Sequence, residues 1–110
     1  MEDDDDLRET IAVVLSFHGY EVDAVASVAA AHHQLSKSRP NAIVVDALLG
    51  GESARGLLEA IARDGDHPPT LIVSGSPGAE KLAHDFSFPL LPKPFDVDEL
   101  IDEVARMHRA

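Results

Sequence analysis

Five side chains stand out for the chemistry they could do together: three carboxylates (Glu2, Asp3 and Asp46), one hydroxyl (Ser74) and one amine (Lys93). Carboxylates brought close repel one another unless a cation neutralises them. A hard divalent ion such as Mg²⁺, or Mn²⁺, takes one or two carboxylates with waters and phosphate oxygens. A central aspartate can attack phosphorus and become an aspartyl phosphate. A metal and a lysine ammonium would then stabilise charge on the phosphoryl oxygens in transit. A hydroxyl could donate to a phosphoryl oxygen once it is attached.

The elements must bring these five residues to one place. Residues 42–45 form a short apolar run, β-branched in the middle, and Asp46 follows at once. A run apolar on both faces predicts a parallel strand covered by helices on two sides. TLIVS (70–74) reads as a second buried strand ending in Ser74, and Leu90 and Leu91 as a strand stub just before Pro92-Lys93-Pro94. YEVDAV (20–25) alternates and reads as a further short strand. Between them lie helical patterns. The first, with Leu7, Ile11, Val14 and Leu15 at helical spacing, is capped by one of Asp4 to Asp6 and closed at Gly19. A second follows Ser27, a third spans 53–65 with Leu57, Leu58 and Ile61 inward, and a short one lies within 77–85. The last is capped by Asp96 with Glu99 as a capping box, and Leu100, Val104 and Met107 lie on its inner face. Alternating strands and helices predict an α/β domain with a parallel sheet. Sites in such sheets form beyond the carboxyl ends of the strands, so Asp46, Ser74 and Lys93 should meet at one edge, with Glu2 and Asp3 beside them.

Bulk composition narrows the function classes. The 110 residues fit one domain spanning 1–110. The net charge of −11 disfavours nucleic acid, whose phosphates need Lys and Arg. No apolar run is long enough for a membrane span. Cysteine is absent, which removes disulfides and thiolate metal sites and fits the cytoplasm. His32 and His33 are adjacent, so they point to different helix faces, and the other four histidines are scattered. SGSPG (74–78) lacks the Lys-Ser/Thr ending of a phosphate-binding loop.

In its ordered acidic pair, Asp46, Ser74 and the Lys93-Pro94 of LLPKPF, the chain resembles bacterial two-component response-regulator receiver domains over nearly its whole length. The resemblance implies a flavodoxin-like, doubly wound α/β/α fold with sheet order 2-1-3-4-5. It implies Mg²⁺ held by Glu2, Asp3, Asp46 and the backbone carbonyl of Leu48. It further implies phosphoryl transfer to Asp46 from a histidine kinase or a histidine phosphotransfer protein, with Ser74 and Lys93 as phosphoryl partners. A protein-binding face would switch in response, for a downstream partner the sequence does not identify, and homodimerisation stays open. Such a domain does chemistry on itself and is not expected to turn over substrate as an enzyme.

Three departures qualify the resemblance. Leu90 stands where the family carries an aromatic switch residue. The stretch from Ser74 to Lys93 is short, which curtails the helix within it and, with GGE (50–52) and SGSPG, suggests a subgroup of stand-alone receivers. Only Met1 precedes the acidic pair, where the family has an apolar central strand. A start further upstream, a closing-up of the sheet by the 20–25 strand, or a strand donated by a partner chain would each resolve the last point. The first is favoured, because unpaired backbone groups are costly when buried. A phosphorylation-independent interaction module of the same fold is the alternative function. A metal-dependent phosphatase is disfavoured, because it needs a second acid two residues after the nucleophile, and that residue is Leu48. Within EDDDD, Glu2 and Asp3 are assigned to the metal, Asp3 as the direct contact, and Asp4 to Asp6 to a solvated helix start.

Overall fold

A computed structural model describes residues 1–109. The acidic opening divides between helix and site. Helix α1 (Asp5–Phe17) begins at Asp4, whose carboxylate accepts the Leu7 N–H at 3.0 Å. Asp5 and Asp6 lie in the first turn, where the helix end is positive. Ser27 caps α2 (Val28–Lys37) by accepting the Ala30 N–H. The apolar run and its aspartate are strand β1 (Ile43–Asp46).

A short hairpin follows, β2 (Leu48–Leu49) and β3 (Glu52–Ser53), and then α3 (Arg55–Arg63). The sequence reading placed residue 53 inside the helix and did not foresee the hairpin. Gly50 and Gly51 both have positive φ, 58° and 79°. That is the requirement of a two-residue type I′ turn, which glycine meets without a Cβ penalty.

Strand β4 (Thr70–Ser74) is buried at every position. Helix α4 (Ala79–Phe86), strand β5 (Leu90–Pro92) and helix α5 (Val97–Arg109) complete the chain. The Glu99 half of the α5 capping box is formed, its carboxylate accepting the Asp96 N–H at 3.0 Å.

The sheet is parallel, in the order β1-β4-β5. Strand alternation sorts its side chains to two faces. Ile43, Val45 and Ile72 pack with Val28, Leu57, Leu58 and Leu82 from α2, α3 and α4. Leu71, Val73 and Leu91 pack with Leu15, Leu100, Val104 and Met107 from α1 and α5. Helices on both faces make the three-layer α/β/α, flavodoxin-like architecture, and the three-strand order is the 3-4-5 part of 2-1-3-4-5.

Residues 20–25 correct the sequence reading, because they form no strand. Alternation gives a segment two faces, but a strand exists only through its neighbour. Among the described residues, Met1 and Glu2 stand between Val25 and β1. The Met1 nitrogen donates to Val44 O at 2.8 Å, Met1 O accepts from Asp46 N at 3.1 Å, and Glu2 N donates to Val25 O at 3.0 Å. The sheet has not closed up onto 20–25. Behind Met1, toward the start of β1, lies a cavity of about 490 Å³.

Two helix ends give opposite stability predictions. Asp4→Ala removes a formed cap and should cost about 1 kcal/mol, whereas Asp6→Ala, which caps nothing, should change stability by less than about 0.5 kcal/mol. Ser87, after α4, sits at φ 58° while its N–H and that of Phe88 close the helix onto His84 O and Ala83 O. Ser87→Gly relieves the left-handed Cβ contact and should stabilise by about 0.5–1 kcal/mol. Urea denaturation of the three variants checks all of this.

Candidate phosphoryl-acceptor site

The site lies beyond the carboxyl ends of β1, β4 and β5. Asp46 is the last residue of β1 and pairs in register with Val73, one residue before Ser74. Ser74 pairs with Pro92, and Lys93 N donates to Ser74 O at 3.1 Å, so the register continues past β5. Parallel pairing therefore sets Asp46, Ser74 and Lys93 on one edge, as the order of apolar runs predicts. The main-chain bonds of Met1 and Glu2 carry the acidic pair to the same edge.

Lys93 Nζ lies 2.7 Å from Asp46 Oδ2 and 2.8 Å from Glu2 Oε1. Both carboxylates are buried, at 6% and 3% exposure. Burial opposes the lysine charge, but the hydrogen bonds to Asp46 and Glu2 outweigh it and raise the Lys93 pKa above its ordinary 10.5. The second Glu2 oxygen accepts the Asp4 N–H at 3.1 Å. Asp46 Oδ1 accepts the Leu48 N–H at 3.1 Å. Ser74 is buried, and its Oγ accepts the Ser76 N–H at 3.0 Å.

Asp3 is the exposed member. Its Oδ2 accepts the Gly50 N–H at 3.0 Å, and although partial burial pushes its pKa up, that hydrogen bond and the charge of Lys93 bring it below the ordinary 3.8. The Met1 ammonium is desolvated; although Glu2 and Asp46 favour its charge, its pKa falls from 8.0 to about 6.

Glu2, Asp3 and Asp46 each offer a carboxylate oxygen, and these oxygens lie within 4.8 Å of one another. Three hard oxygen donors against one lysine leave net negative charge, which suits a hard divalent cation. In the hairpin, Ala54 N donates to Ala47 O and Leu49 faces Glu52, so the main-chain groups of Leu48 turn out of the ladder. The Leu48 N–H is spent on Asp46.

Sequence reasoning named all five side chains. It missed Gly50, whose N–H holds Asp3, and the main chain of Met1, which fixes Glu2. Two successive glycines after Leu48-Leu49 were the available signal for the first, since such a pair marks a tight hairpin.

An α/β/α domain with a carboxylate cluster and a lysine beyond the strand ends defines a class, and comparison with known proteins places the chain within it. Residues 1–105 match the response regulator receiver domain family, and the chain belongs to that family. It is 27% identical to the response regulator MprA of Mycobacterium leprae (strain TN), over 99% of this chain and 49% of that protein. The chain thus spans about half the length of the curated relatives it matches. A response regulator from Chloroflexus aurantiacus J-10-fl is 30% identical, with a TM-score of 0.83 over 100% of this chain and 94% of the other. The receiver domain of NtrX from Brucella abortus, at 24% identity and TM-score 0.87 over 99% and 95%, shares the fold. No helix among the described residues is long and apolar enough to cross a membrane.

The Lys93 ion pairs have a pH signature. Because the folded pKa is raised, their stabilisation is fully present below the ordinary 10.5 and is lost as pH rises through the folded value. Lys93→Met strands two buried carboxylates and should cost about 3 kcal/mol at pH 7. The gap between variant and parent, measured by urea denaturation, should shrink above pH 10.5.

Proposed function

We propose that the chain is a phospho-accepting receiver in which Asp46 takes a phosphoryl group from a phosphohistidine of a histidine kinase or phosphotransfer protein. The observation that carries this reading is the bridge from Lys93 to Asp46 and Glu2 at the sheet edge, with Asp3 alongside. An Asp46 oxygen attacks phosphorus, the P–N bond breaks, and its electron pair leaves with the imidazole of the donor. Mg²⁺, held by Asp3, Asp46 and the Leu48 carbonyl with Glu2 nearby, would supply positive charge for the phosphoryl oxygens.

Lys93 supports the same transfer from the protein side. Its ammonium is already within hydrogen-bond reach of the nucleophile, so it can pass to a phosphoryl oxygen without leaving the site. The Ser74 hydroxyl accepts from Ser76 N–H and keeps its own hydrogen to donate to that group. The product stays on the chain's own side chain, so the reading is a signalling acceptor and not a turnover enzyme.

One observation favours the phosphorylation-independent alternative as a second reading. At the usual aromatic switch position Leu90 packs, half-buried, against the core with Phe86 and Phe88, so no aromatic ring is there to swing. Acetyl phosphate with Mg²⁺ should add one phosphoryl mass to the intact chain, and Asp46→Asn should abolish the addition. A chain that stays unmodified, or an adduct that survives Asp46→Asn, overturns the acceptor reading and leaves the interaction module.

A further inference from the structure

We propose that the hairpin turn at Gly50 and Gly51 sets the choice of ion at the acceptor site: by holding Asp3 at one oxygen, it limits Asp3 to a single ligand and favours Mg²⁺ over Ca²⁺. The inference rests on the metal-holding part of the function proposed above, and not on phosphoryl transfer. It makes Gly50 a positioning residue that acts through Asp3.

Protein donors already engage the buried carboxylates. Asp46 has the Leu48 N–H on Oδ1 and the Lys93 ammonium on Oδ2. Glu2 has Lys93 on Oε1 and the Asp4 N–H on Oε2. A donor at each oxygen holds the plane of the group and opposes chelation of one ion by both oxygens. Asp3 is exposed, so of the three it is the one able to turn both oxygens toward an ion. The Gly50 N–H, 3.0 Å from Asp3 Oδ2, restrains that turn.

The two ions differ in what they need. Ca²⁺ takes roughly six to eight oxygens and readily accepts a carboxylate through both of its own. Mg²⁺ demands a near-ideal octahedron, keeps several waters and uses one or two carboxylates. A cluster confined to single oxygens therefore suits Mg²⁺.

The restraint is firm because the hairpin is anchored on the site and in the core. Leu49 is 1% exposed and pins β2. Leu48 pairs with Ser53 and Leu49 with Glu52, and Ala54 N donates to Ala47 O at 2.9 Å. The Leu48 N–H binds Asp46 and the Gly50 N–H binds Asp3, so one short stretch of main chain spans the two carboxylates and fixes their separation. Rigid spacing itself discriminates between ions of different size. A Cβ at Gly50 would meet nothing within 4 Å, so glycine is required there by its φ of 58° and not by space. Gly50→Asn therefore keeps both the N–H and the left-handed backbone, whereas Gly50→Pro removes the donor and cannot adopt that φ.

The test titrates the full chain with MgCl₂ and with CaCl₂ at constant ionic strength and follows the backbone amides by NMR. The parent should bind Mg²⁺ more tightly. Its Gly50 amide should stay protected from hydrogen exchange in saturating Mg²⁺ and exchange several-fold faster in saturating Ca²⁺, as Asp3 turns to the larger ion. Gly50→Pro should lower the Mg²⁺-to-Ca²⁺ affinity ratio about tenfold, the worth of one hydrogen bond to a charged group. Gly50→Asn should leave the ratio unchanged. Equal protection of Gly50 with both ions overturns the proposal, and this is read on the parent whatever becomes of the proline variant's fold. A parent that prefers Ca²⁺, an unchanged ratio in Gly50→Pro, or an equal loss in Gly50→Asn overturns it too, while metal binding by the carboxylates stands. A parent that binds neither ion overturns both.

Discussion

One amine holds the site together. Lys93 reaches back across the sheet edge to Asp46 and to Glu2, ninety-one positions away in sequence, and both contacts are close to or below 2.8 Å. Two unit charges about 4 Å apart interact by about 4 kcal/mol at an effective dielectric near 20. Without the lysine that magnitude would separate Glu2 from Asp46 and, through Glu2, unseat the first residues of the chain. The contact requires that β5 end beside β4, that β4 end beside β1, and that Glu2 be carried to the same edge. Parallel register supplies the first two conditions, and the main-chain bonds of Met1 and Glu2 supply the third.

The same pairing that offsets part of the site's negative charge also readies it. Lys93 already spends charge on the nucleophile, and Asp46 keeps its orientation through the Leu48 N–H. Asp3 is anchored to Gly50 at one oxygen and remains exposed. The carboxylates thus differ in freedom: Glu2 is committed at both oxygens to Lys93 and Asp4, whereas Asp3 faces solvent. A cation arriving from water meets Asp3 first.

How much of this was legible depends on what periodicity reports. An apolar run such as 42–45 or 70–74 reports a strand covered by helices on both faces, so β1, β4 and their chemical ends could be read directly. Caps were legible for the same local reason, since Ser27 and Asp96 each contact the helix they start. Residues 20–25 show the limit. Their alternation is genuine, but pairing is decided by what lies beside them, and no local pattern encodes a neighbour. The hairpin failed differently: its strands are two residues each, too short to carry a period, and only Gly50-Gly51 marked it. The grip of Gly50 on Asp3 joins positions 47 apart, and the Met1–Val44 bond joins positions 43 apart through main chain that has no side-chain signature.

Met1 and Glu2 tie the acidic pair to the sheet through main chain alone. Met1 bonds Val44 O and Asp46 N on one side and Glu2 N bonds Val25 O on the other, so the position of the Glu2 carboxylate is set before any side chain is considered. That carboxylate then divides its two oxygens between Lys93 and the Asp4 N–H. A charge change at Asp46 that draws Lys93 away from Glu2 therefore leaves a buried carboxylate with one partner fewer, a cost that any such movement must offset.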